Sequence, residues 1–284
     1  MIKKRVRATI HGAVSIVNAL ATCSGSALGI SLRVIAEADF RDGEGIRSQT
    51  ANEKLIRNIV YNTIPKELLE ENSVYVSVNS EIPMGFGLKS SSAVSVAVAL
   101  ACTKLVKEEV EDHAVLDRAV LASLDARVTI TGAYDDSAAC YFGGFVTTNN
   151  RTHEIIHHQK APENLFAIIF LPRATRRGNI SKLSTMSDLF GQAFKLATAG
   201  EYWEAMNLNG MLLSTGLSAE YEPVIGAIKK GALAASISGN GPAVAAVSYE
   251  EDVEDIKAAF DNFNGSVIVS KINNEKATAE TLVG

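Results

Sequence analysis

Cysteine is scarce in this chain: Cys23, Cys102 and Cys140 are the only three among 284 residues, widely spaced and with no Cys-x-x-Cys pair. That spacing argues against a disulfide framework and a cysteine-built zinc site, and it fits a reducing cytoplasm. Long hydrophobic runs are missing as well. The strongest, Ala93 to Leu100, is far shorter than the roughly 20 residues a membrane span needs. Lys3-Lys4-Arg5 followed by the uncharged stretch Val14 to Ala21 has the outline of a signal peptide, but His11, Ser15, Asn18 and the glycines dilute its apolar part, so none is expected. There is no excess of positive charge: a formal net charge of −5 gives no electrostatic reason for nucleic acid or an anionic membrane as partner. Neither Gly-x-x-x-x-Gly-Lys-Ser/Thr nor the His-Arg-Asp and Asp-Phe-Gly pair occurs, which removes the P-loop and protein-kinase classes. No internal repeat and no low-complexity tract is visible.

What is present is the composition of a soluble globular protein, 47% hydrophobic and 21% charged. The length exceeds the usual single domain, so two domains sharing a cleft are expected, with a boundary near residue 150. Val6 to Ile10, Gly29 to Ile35 and Val74 to Ser80 alternate as strands do, and Asn52 to Tyr61 has a helical rhythm. Ala93 to Val106 is small and apolar all round, which suits a helix buried at the centre of a domain. A further helix is predicted over Asp112 to Val128, broken by Thr131-Gly132, which leaves Asp135 and Asp136 just past a helix end. Phe145 to Asn150 and His153 to His158 read as a hairpin, and the remainder alternates strands with helices.

The informative segment joins the strand Val74 to Ser80 to the buried helix: Pro83-Met84-Gly85-Phe86-Gly87-Leu88-Lys89-Ser90-Ser91-Ser92. A phosphate group needs converging backbone N–H donors, and a glycine-rich turn feeding a helix N-terminus supplies them together with the positive end of the helix dipole. Gly85 and Gly87 can take the backbone angles such a nest requires, and the three serines can offer hydroxyls to phosphate oxygens or Mg²⁺. By itself the run is equally compatible with an ordinary capped loop.

The same run resembles the second signature of the GHMP kinases, Pro-x-x-x-Gly-Leu-x-Ser-Ser-x-Ala, with Pro83, Gly87, Leu88, Ser90, Ser91 and Ala93 in place. Gly132-Ala133-Tyr134-Asp135 followed by Gly143-Gly144, and Ser238-Gly239-Asn240-Gly241-Pro242-Ala243, match further segments of that family in order and spacing. The resemblance implies an α+β, two-domain fold: an N-terminal nucleotide-binding domain, residues 1–150, and a C-terminal ferredoxin-like domain, residues 151–284. It also implies ATP and Mg²⁺ as cofactors, with Pro83 and residues 85–92 (Gly85, Phe86, Gly87, Leu88, Lys89, Ser90, Ser91, Ser92) cradling the nucleotide. Ser91 would be a metal ligand with Asp125 as its candidate companion, and Asp135 the catalytic carboxylate, with Asp136 as alternate. Phosphoryl transfer needs in-line positioning more than strong base catalysis, so a carboxylate is sensible there.

The first signature departs from the common Pro-Gly-Arg-Val-Asn and reads His11-Gly12-Ala13-Val14-Ser15-Ile16-Val17-Asn18. This segment, with Thr131 to Asp136 and the compact length, is similar to the archaeal-type shikimate kinases. That likeness implies transfer of phosphate from ATP to the 3-hydroxyl of shikimate, with homoserine, mevalonate and related isoprenoid kinases as the alternatives. Asn18, Asp135, Ser238, Gly239 and Asn240 would then line the acceptor side. A carboxylated substrate calls for an arginine able to grip it with two hydrogen bonds, and Arg173, Arg176 and Arg177 are the candidates, the last two above all. The expected partner is a small molecule, with a homodimer left open.

Two readings of another class stand beside this one. His153-Glu154-Ile155-Ile156-His157 matches the His-Glu-x-x-His pattern of zinc metalloproteases, but that chemistry needs a helix, and this β-branched segment reads as a surface strand. A non-catalytic binding module would require a decayed cleft, which the joint presence of the loop, its serines and Asp135 argues against.

Overall fold

A computed structural model describes residues 2–50, 52–173 and 178–282. The chain opens with two long strands, β1 (Ile2–Val17) and β2 (Ser24–Arg41), then β3 (Ile46–Ser48), α1 (Glu53–Thr63), α2 (Lys66–Glu71) and β4 (Ser73–Ser80). The buried helix α3 (Ser90–Val106) follows, with α4 (Asp112–Asp125), α5 (Tyr134–Phe142), and the hairpin of β5 (Phe145–Asn149) and β6 (Glu154–Gln159). The remainder runs β7 (Leu165–Pro172), α6 (Ser187–Thr198), α7 (Tyr202–Leu217), α8 (Glu222–Lys229), β8 (Ala234–Ile237), β9 (Val244–Tyr249), α9 (Val253–Ala258), β10 (Gly265–Lys271) and β11 (Thr278–Leu282).

Among the described residues eleven strands form two sheets, so the expected α+β class is the one observed. In the seven-stranded sheet β2 pairs with β1 along one edge, while its other edge is divided: Ser24 to Leu28 pair with β5 and Val34 to Arg41 with β4. Asn150, just beyond β5, is thereby held beside the turn that opens β2, its amide donating to the Cys23 carbonyl. The four-stranded sheet has the order β10-β7-β9-β8, all antiparallel, with α7, α8 and α9 packed on it. The strands do not divide at residue 150: β6 pairs with β5, and β11 returns to pair with β1, so both complete the first sheet.

Helix α3 has no polar face, and the structure uses all of it: α3 lies on β1 and β2 and is enclosed by α1, α4 and α5. Strand β7 shows the period-two logic that couples the sheets. Leu165, Ala167, Ile169 and Leu171 join the core of the first sheet, and Ile168 and Phe170 a second cluster with Phe190, Leu213 and Phe260. Two boundaries differ from the sequence reading. Helix α4 stops at Asp125 because Arg127 takes a left-handed conformation (φ 60°), and Asp135 and Asp136 begin a helix of their own after Gly132 and Ala133, both at positive φ.

Candidate active site

The glycine-rich loop reaches the second sheet and is stitched to it. Gly87 sits at φ 82°, and a Cβ there would fall on the Ser238 carbonyl, so only glycine allows the approach. The Ser238 hydroxyl donates to the Gly87 carbonyl (2.9 Å) and accepts from the Ser15 amide (3.2 Å), and the Ala243 amide donates to the Phe86 carbonyl (3.2 Å). Asn18 finishes the seam: its side-chain amide donates to the Gly239 carbonyl (2.8 Å) and to Asn240 Oδ1 (3.2 Å). Three segments far apart in sequence thus meet around one cavity of about 330 Å³, lined by Asn18, the loop, residues 127–133, Asp135, Asp136 and Gly239 to Gly241. The N-terminus of α3 opens into it, with Ser90, Ser91 and Ser92 on its wall.

Asp135, only 4% exposed, is fixed from two directions. The Asn150 side chain donates to Asp135 Oδ1 (2.6 Å) while its own oxygen accepts from the Asp135 amide (3.0 Å) and the Thr148 hydroxyl (2.6 Å). Behind it, Gly25 of β2 presents bare backbone. Burial, and then the charge of Asp136, push the Asp135 carboxyl up to about 7; Lys89 and the Asn150 hydrogen bond pull the other way. Lys89 Nζ lies 2.8 Å from Asp136 Oδ1 in a pair that is 6% and 17% exposed. Burial opposes the ammonium, but the carboxylates of Asp136 and Asp135 outweigh it and hold the Lys89 pKa above the ordinary lysine value. Tyr134 buttresses the helix start: its ring stacks on His153 (centroids 4.9 Å), its hydroxyl lies 3.1 Å from His113 Nδ1, and His153 Nδ1 lies 2.8 Å from Asp117.

Of the residues singled out from the sequence, Pro83, Gly85, Gly87, Leu88, Lys89, the three serines, Asn18, Asp135, Gly239 and Asn240 line this cavity. Others do not. Phe86, half-buried, packs against the core and contributes its carbonyl to the seam. Ser238 is fully buried beneath the cleft, its hydroxyl occupied by Ser15 and Gly87. Asp125 is exposed and off the cavity wall; at about 100° per residue it lies some 200° around α4 from Ser123, which does line the cavity. Arg173 is exposed and outside the cavity, and Arg176 and Arg177 lie outside the described residues. The zinc reading fails on geometry: His157 is exposed on β6, His153 precedes the strand, and no helix puts both on one face.

The sequence reading missed Asn150, Gly25 and the pairing of Lys89 with Asp136. Nothing in their spacing marks them, since each acts on a residue brought to it by the sheet or by α5. Among the described residues no group of three His, Cys, Asp or Glu side chains is placed to hold a metal. A Mg²⁺ ion carried in on phosphate oxygens would need only one or two protein ligands; of the two expected, Ser91 lies on the cavity wall and Asp125 does not.

Comparison with known proteins decides the family. Residues 54–144 match the model for the GHMP kinases N terminal domain, and residues 200–266 that for GHMP kinases C terminal. The chain belongs to the GHMP kinases. Its relatives in this family include the shikimate kinase of Methanothermobacter thermautotrophicus, 34% identical with 97% of both chains covered. The shikimate kinase of Pyrococcus abyssi is 34% identical, with 92% of this chain and 96% of the relative covered. Among solved GHMP kinase structures, homoserine kinase from Cytophaga hutchinsonii superposes with a TM-score of 0.74 at 20% identity over 98% of both chains. L. major mevalonate kinase superposes with a TM-score of 0.73 at 15% identity over 95% of this chain and 96% of that one. As a GHMP kinase, this chain is a small-molecule kinase that uses ATP. Among the described residues no helix is long and apolar enough to cross a membrane.

Proposed function

We propose that the chain transfers the γ-phosphoryl group of ATP to the 3-hydroxyl of shikimate, supplying the phosphorylated acid for chorismate and aromatic amino-acid synthesis in the cytoplasm. The observation that carries this reading is likeness along nearly the whole chain to shikimate kinases at 34% identity, together with a cleft lined by both a held carboxylate and the glycine-rich loop.

The roles follow from position. The backbone of residues 85–92 and the N-terminus of α3 receive the nucleotide phosphates, and the serine hydroxyls lie at the edge where the terminal phosphate would rest. Mg²⁺, when bound with the nucleotide and held in part by Ser91, supplies charge neutralisation at the phosphoryl oxygens. Asp135, aimed by Asn150, orients the acceptor hydroxyl. The hydroxyl oxygen forms the new P–O bond as the bond to the β-phosphate oxygen breaks; ADP leaves with that electron pair, and the hydroxyl proton passes to Asp135 and then to solvent. Asn18, Gly239 and Asn240 form the acceptor wall. A carboxylated triol calls for a guanidinium, and Arg176 and Arg177 are the proposed source.

An ADP-release assay with Mg-ATP against shikimate, homoserine, mevalonate, phosphomevalonate and galactose tests the reading. Saturable turnover with shikimate alone is expected. Turnover with another alcohol and none with shikimate would refute the substrate and leave the phosphoryl-transfer site in place.

A further inference from the structure

Lys89 is unlike the rest of the loop that carries it. It takes a left-handed backbone conformation (φ 62°) immediately before α3, a region that long side chains seldom adopt and that glycine enters freely. Its side chain nevertheless runs inward, ending 2.8 Å from Asp136 with 6% of its surface exposed. A Cβ at Gly239 would come within 3.3 Å of Nζ, so the ammonium lies close under the turn that faces the cleft. A buried ion pair adds little net stability, and apolar side chains of similar volume often do as well, so folding alone does not call for this lysine.

The groups around Asp135 define what the charge does there. From α5 come Asp136 and the Cys140 thiol, which burial pushes up and keeps neutral; beyond β5 stands the neutral Asn150 amide; β2 offers the backbone of Gly25; and Lys89 approaches from the loop. Among these described groups Lys89 is the one cation facing two carboxylates adjacent on one helical turn. With the ammonium removed, like charges on neighbouring residues drive the two side chains apart, and the Asn150 hydrogen bond alone resists.

We propose that Lys89, anchored by Asp136, is a positioning residue whose fixed positive charge keeps the Asp135 carboxylate aimed at the acceptor hydroxyl. The inference rests on the assignment of Asp135 to the phosphoryl-transfer site, and its test separates the two.

The variants are K89M, which keeps length and loses charge, K89R, D136N, the K89M/D136N double and D135N. The measurements are kcat and KM for Mg-ATP and for the acceptor that turns over, ATP affinity by calorimetry, and thermal unfolding. K89M and D136N should each lower kcat about 100-fold, the size expected of a displaced catalytic group, with ATP affinity within about threefold of wild type. K89R should recover most of the loss, and the double variant should be no worse than the poorer single, because both act through one contact. A kcat within threefold of wild type in K89M, a loss confined to ATP affinity, or single effects that multiply in the double would overturn the proposal. Should K89M not fold, D136N and K89R decide it: unchanged kcat in D136N refutes the anchoring. Near-normal turnover in D135N would sink the active-site assignment itself, whereas an inactive D135N beside normal K89M and D136N removes only the role of Lys89.

Discussion

Gly25 and Asp135 are in direct contact: a Cβ built on Gly25 would fall on the Asp135 carboxylate, so the absence of a side chain on β2 is what makes room for the carboxylate from α5. Gly25→Ala should therefore displace Asp135 while the sheet register survives. Turnover is expected to fall about 100-fold, since an ångström of misplacement costs that much, with far-UV circular dichroism unchanged. Wild-type kcat in this variant would show that Asp135 does not need its observed position.

Asp135→Asn removes the carboxylate and keeps its shape, including the oxygen that accepts from Asn150. Loss of a general base costs typically 10²- to 10⁴-fold in kcat, and ATP binding should persist. Steady-state kinetics beside calorimetric titration with ATP separates the two.

The pH dependence follows from the raised carboxyl. An unfolded aspartate titrates near 4 and Asp135 in the folded protein at about 7. Between those values the native state binds more protons than the unfolded chain, so this group's contribution to stability falls as pH rises through the window. Activity runs the opposite way, with kcat/KM climbing as Asp135 ionises and levelling off above pH 7. Asp135→Asn should flatten the stability slope and raise the melting temperature relative to wild type at pH 8, measured by calorimetry across pH 5 to 8. In Asp136→Asn, which removes the like charge, the acid limb of the rate profile should move to lower pH.

Gly87→Ala tests the seam between the sheets. At φ 82° and with the Ser238 carbonyl in the way, an added methyl must push the loop off the turn. A rise of at least tenfold in KM for ATP is expected, with a stability loss of about 1–3 kcal/mol from the strained backbone and the broken hydrogen bonds. Denaturant unfolding and ATP titration read both quantities.

Asp125→Ala is the counter-case. Exposed on α4 and away from the cavity, it should change kcat and KM by less than twofold and stability by less than about 0.5 kcal/mol. A large rise in the Mg²⁺ requirement would return Asp125 to the site.

What could be read without a structure was local. The loop Pro83 to Ser92 needs glycines at particular backbone angles and a helix start directly behind it, and α3 needs small apolar residues on every side. Such demands fall on consecutive residues and leave a pattern in them. Asp135 was singled out through motif order, and the structure places it on the cavity wall. The contacts that bring these residues to one cavity join distant parts of the chain. Asn150 reaches Asp135 because β2 divides one edge between β4 and β5, and Ser238 locks Gly87 because a turn of the second sheet docks on the loop. Asp125 went the other way: its type and approximate spacing suited a metal ligand, and the phase of α4 turned it to solvent. Helix phase and sheet pairing are settled by the burial of whole faces, which no single residue encodes. The sequence determined which chemical groups this protein owns, and tertiary packing decided which of them share one cavity.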